Sequence, residues 1–110
     1  MTNLLKSAPH RKRLRNRRAS STFEVEVGGL HYVATVSRFD DGRLAEVFIG
    51  NHKSNSGADV NARDCGIVCS IALQFGADVA TIQRALSRDS HNRPSGVLAA
   101  VLDIIAEGER

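Results

Sequence analysis

From Thr22 the chain alternates. Phe23, Val25 and Val27 are interleaved with Thr22, Glu24 and Glu26, which is the period of a strand with one buried face. Gly28-Gly29 follows, and a glycine pair tolerates the positive φ of a tight hairpin turn. A second run, LHYVATVS, sets Leu30, Tyr32, Ala34 and Val36 on one side. Asp40-Asp41-Gly42 is another turn signal, and Leu44 to Ile49 form a third run rich in β-formers. Three strands joined by short turns predict an antiparallel meander.

Gly50 to Gly57 is a polar loop without hydrophobic pattern. After it the period becomes helical. Val60, Ile67, Val68, Ile71, Ala72 and Phe75 fall on one stripe, with Ala62, Cys65 and Cys69 on its margin. Period alone makes that stripe the side turned to the core. Gly76 is placed to end the helix as a left-handed cap. Asp78 can start a second helix with Val79, Ile82, Ala85 and Leu86 as its apolar positions. Ser95 can cap a last helix carrying Val97, Leu98, Val101, Leu102, Ile104 and Ile105. That last helix is apolar over most of its circumference, so it is either buried on several sides or leaves a patch for a partner. Strands segregated from helices mean an α+β domain, a three-stranded antiparallel meander followed by three helices packed on one face. The long middle helix is the obvious cover for the sheet.

Charge divides the chain differently. Residues 1–18 hold seven of the 15 basic residues, Lys6, Arg11, Lys12, Arg13, Arg15, Arg17 and Arg18, and no acid. The remainder has a net charge of −4. Residues 1–19 therefore read as a basic disordered arm with no apolar period to offset the entropy of ordering, and residues 20–110 as one domain. Apolar residues make up 42% of the chain, enough for one modest core. The longest apolar runs are far too short for a membrane span, and the start lacks the apolar stretch of a secretory signal. Two cysteines without such a signal read as reduced thiols, and the expected location is cytoplasmic.

Four stretches carry a resemblance: LRNRRAS, FEVEVGGLHYVATVSRFDDGRLAEVFIG, KSNSGADVNARDCGIVCSIALQFG, and ATIQRALSRD followed by PSG. From Arg13 to Ala106 the chain resembles the TSCPD-type domain, a module found toward the C-terminus of adenosylcobalamin-dependent (class II) ribonucleotide reductases and as short separate proteins. The pentapeptide Thr-Ser-Cys-Pro-Asp does not occur here, nor do the cysteine pairs of the reductase tail. The resemblance implies association with ribonucleoside-diphosphate reduction and DNA synthesis, without the catalytic barrel. It makes adenosylcobalamin a cofactor of the larger relatives, with none expected in this chain. The implied partner is a reductase subunit, or a second copy joined through the last helix.

Three sets of side chains are candidates for chemistry. Lys53, Ser54, Asn55, Ser56 and Gly57 precede the long helix, where free N–H groups and the helix dipole suit a phosphate. The plainer reading is turn and capping chemistry, with Ser54 or Ser56 as the cap. In the arm, Arg13, Arg15, Arg17 and Arg18 suit a nucleotide or nucleic acid, but no aromatic residue is interleaved for stacking. A solvated tail or a segment docking to an acidic partner is the alternative. Cys65 and Cys69 face one side of a helix and, with His52 or His31, could begin a zinc site and make this a metal-binding enzyme. Free cysteines serve more simply as small core side chains. No nucleophile elbow, HExxH or paired carboxylate occurs, so no catalytic residue is assigned.

Overall fold

A computed structural model describes residues 10–16 and 18–108. Strands β1 (Ser20–Val27), β2 (Leu30–Arg38) and β3 (Leu44–Asn51) form one antiparallel sheet in the order β1-β2-β3. Helices α1 (Gly57–Gln74), α2 (Val79–Ala85) and α3 (Val97–Gly108) follow. The α+β meander-then-helices architecture expected from the period is the one observed. Gly28 and Gly29 have φ of 59° and 78°, the two positive values of a two-residue hairpin turn, and they pin Val27 opposite Leu30. A register shift between Ser37 and Arg38 bends the end of the β2–β3 pair.

Pairing puts Phe23, Val25, Tyr32, Ala34, Val36, Val47 and Ile49 on one face. That face is closed by α3, whose Val101 and Leu102 are wholly buried, and by Ala62, Cys69 and Leu73 of α1. Complete burial of one such aliphatic side chain contributes about 1.5–3 kcal/mol. Of the two fates open to the last helix, burial is the one adopted, and Ile104 is the large apolar side chain it leaves exposed. Helix α3 begins at Val97, with the amide of Ala100 donating to Gly96 O, so its first turn starts just past Ser95. Short α2 is half-buried through Val79, Ile82 and Leu86. A two-pronged pair from Arg88 to Asp103 (2.7 and 2.9 Å), joined by Gln83, ties the segment after α2 to α3.

One expectation is reversed. The apolar stripe of α1 does not face the core: Val60, Ile67, Val68, Ile71 and Phe75 are exposed, and Ala72 is half-buried. The buried side of α1 is instead Asp59, Ala62, Gly66, Cys69, Ser70, Leu73 and Gln74. The reason lies in its neighbour: α1 runs against β3, an edge strand whose outward N–H and C=O groups need partners more than they need apolar cover.

The described part of the basic arm has no regular secondary structure, yet it touches the body. Lys12 N donates to Gln74 O at 2.7 Å and the guanidinium of Arg11 donates to the Gln74 side chain. The disorder expected of residues 1–9 and of Arg17 lies outside the described residues.

Candidate functional site

Helix α1 carries the loop at its N-terminus and the two thiols that the sequence singled out. Ser70 Oγ accepts from Val47 N at 2.8 Å and shares its own proton between Gly66 O and Val47 O, at 2.8 and 3.0 Å. Gln74 Nε2 donates to Ala45 O at 3.1 Å, and Asp59 Oδ1 accepts from Asn51 N at 2.9 Å. Three side chains of one helix thus satisfy the edge of β3 along its length. The approach is close: a Cβ on Gly66 would stand 2.8 Å from Val47 O.

At the N-terminus of α1, Ser56 is the cap and its Oγ accepts from Asp59 N at 3.1 Å. Asn55 takes a φ of 60°, which asparagine tolerates. The second oxygen of Asp59 accepts from Asn55 N and Arg63 Nη2, both at 2.9 Å. These amides, Asn55 first and then Asn51, together with Arg63, hold the Asp59 carboxyl below its ordinary value of 3.8. The positive end of the helix already faces a buried carboxylate. Of the loop residues expected to meet an anion, Lys53, Ser54, Asn55 and Gly57 are exposed, and Ser56 is half-buried with its hydroxyl donating to Lys53 O at 2.7 Å.

The arm lies elsewhere. Arg15 pairs with Asp40 at 2.8 Å, Lys12 with Asp41 at 3.9 Å, and Arg18 grips the buried Glu46 at 2.9 and 3.2 Å. Lys12 and Arg43 also sit over the ring of Phe39, at 4.6 and 5.1 Å from its centre. Arg13 is exposed, and Arg17 is outside the described residues. Because Arg11 and Lys12 contact Gln74 at the far end of α1 from Ser56, the arm and the Lys53–Gly57 loop do not form one site. The helix between them is about 27 Å long.

Cys65 is exposed and Cys69 is buried. Burial, with a smaller contribution from the neighbouring Cys65, pushes the Cys69 thiol up to about 11. Among the described residues no three His, Cys, Asp or Glu side chains gather where they could hold a metal ion, so His52 and His31 do not complete a site with the thiols. Cys65 opens instead onto a groove of about 470 Å³ with Tyr32, Asn61, Ser87 and Leu98. No sequence motif announces it, because α1, β2 and the start of α3 meet there only in the fold.

The family model described as TSCPD domain matches residues 7–108. The chain belongs to the TSCPD domain family. This TSCPD domain is similar to a stretch of the vitamin B12-dependent ribonucleotide reductase of Agrobacterium fabrum, with 35% identity over 66 residues. A stretch of the same length in the enzyme of that name from Bradyrhizobium diazoefficiens is 33% identical. The aligned residues are 60% of this chain and 5% of each reductase, so the chain corresponds to a small segment of those relatives. No solved structure matches it.

Proposed function

We propose that this TSCPD domain is an accessory or regulatory module of ribonucleotide reduction that acts by docking. The similarity to a 66-residue segment of two vitamin B12-dependent reductases carries this reading. The polar side chains of α1 support it, since Asp59, Ser70 and Gln74 are engaged in holding β3. Deoxyribonucleotide synthesis then belongs to the partner. In this reading adenosylcobalamin, like the chemistry, belongs to the partner, and this chain is expected to carry none. Affinity capture with the full chain from its own host, after cross-linking, is expected to recover a ribonucleotide reductase subunit. Recovery of none, with the bait folded and abundant, refutes the association.

A second reading, polyanion binding through the arm, rests on the density of cations between Arg11 and Arg18. It requires the pairs with Asp40, Asp41 and Glu46 to open. Titration with DNA, RNA and ATP at low salt tests it, and binding that survives deletion of residues 1–18 places the site outside the arm.

A further inference from the structure

We infer that the outer face of α1 is the contact between two copies of this chain, packed antiparallel about a two-fold axis near Ile67 and Val68. At 100° per residue, Val60, Ile67, Val68, Ile71 and Phe75 lie within an arc of about 100°, on the side of α1 away from β3. Phe48 borders the helix on the open face of the sheet, its Cα 3.6 Å from where a Gly66 Cβ would stand. These six side chains are between 37% and 66% exposed.

The area suits a dimer. Taking about 200 Å² for a Phe side chain and somewhat less for the aliphatic ones, their exposed parts amount to roughly 500 Å² of apolar surface per copy. A stable interface removes about 800 Å² per partner, a little over half of it apolar. An apolar face of this size, interrupted by Asp64, is toward the upper end of what monomers leave in water.

The spacing and the charges select a second copy and its direction. Reading outward from the midpoint between Ile67 and Val68, Val60 and Phe75 are equidistant, as are Asp64 and Ile71. An antiparallel pair therefore sets the narrow Val60 against the broad Phe75 of the other copy at both ends, as an isologous interface requires. It also brings Asp64, the charge within the stripe, toward the end of the partner helix where Arg11 and Lys12 are held on Gln74. A parallel pair would set Asp64 against itself. The inference stands independently of any association with a reductase.

The test uses the full chain in sedimentation and light scattering across a range of concentrations. The parent is expected to be a dimer, and Val68→Glu to raise the dissociation constant roughly thirtyfold or more, the effect of losing one central contact. Val68 is the most exposed of the six, so its replacement should leave the monomer folded, with an unchanged circular dichroism spectrum, and should lower the unfolding midpoint only by the stabilisation that dimerisation gives the parent. In a Cys65→Ser background, Val68→Cys should form an intermolecular disulfide on mild oxidation. Ile104→Glu on α3 is expected to leave the dimer intact. A monomeric parent at every concentration overturns the inference. So does a dimer that survives Val68→Glu, or one that Ile104→Glu dissociates. A monomer whose α1 face is protected only on addition of a reductase overturns it too, while leaving the proposed function standing.

Discussion

Replacing Gly66 by alanine sets two effects of opposite sign against each other. Within a helix the change is favourable by about 0.5–1 kcal/mol, because alanine loses less backbone freedom on folding. Against this, the new Cβ would stand 2.8 Å from Val47 O, with Ile49 N at 3.4 Å. A carbon beside a carbonyl oxygen ordinarily rests at about 3.3–3.6 Å, so α1 must lift by roughly half an ångström or β3 must bend. Overpacking of that kind costs about 1–3 kcal/mol. Lifting the helix also stretches the Ser70 bonds to Val47, now 2.8 and 3.0 Å, each of which contributes about 0.5–1.5 kcal/mol net. The steric cost and weakened bonds outweigh propensity, and the expected destabilisation is about 1–3 kcal/mol. In a domain of this size each kcal/mol lowers Tm by about 4–8 °C. Thermal unfolding followed by circular dichroism measures it. Gly57→Ala is the control, since nothing lies within 4 Å of its would-be Cβ, and its Tm should be equal or higher. A Gly66→Ala variant as stable as the parent would show that α1 is not seated on the strand edge as described.

Other outcomes follow from the same geometry. Leu102→Ala empties a fully buried position and should cost about 2–5 kcal/mol in denaturant unfolding, whereas Ile104→Ala on the exposed side of α3 should cost under about 1 kcal/mol. Asp59 has a folded pKa below its ordinary 3.8, so its contribution is complete above that value and is lost as pH falls through the lower folded one. Asp59→Asn should accordingly flatten the acid limb of the stability profile below about pH 5, and an unchanged limb would show the carboxylate is not held by the Asn55 and Asn51 amides. With a thiol reagent at pH 8, mass spectrometry should find Cys65 labelled quickly and Cys69, with its thiol at about 11, labelled only on unfolding. Equal labelling of the two would contradict the burial of Cys69.

The sheet was legible because local chemistry and period agree. Alternation in Thr22–Val27 and Leu30–Val36 names the buried face, and Gly28-Gly29 and Gly42 supply the positive φ that the turns take. Gly76, with a φ of 101°, ends α1 where its position suggests. The facing of α1 was not legible from apolar period, which assumes that a helix turns its largest side chains inward. A helix laid along an unpaired strand edge needs small and hydrogen-bonding residues there. The signal was present as a second stripe, Asp59, Ala62, Gly66, Ser70 and Leu73, also at helical spacing. Among the candidate sites, Ser56 as cap was readable from the loop, but the engagement of Asp59 beneath it depends on Asn51 in a strand.

By itself the sequence determined the elements, their order and turns, the α+β class and the concentration of positive charge in one arm, because each depends on residues close together in the chain. Tertiary structure decided which side of α1 meets the sheet, that Arg15 and Arg18 pair with Asp40 and Glu46, and that the thiols find no third ligand among the described residues. Those outcomes depend on which unsatisfied backbone groups and charges the fold brings within about 3 Å of a side chain, and no local period encodes that.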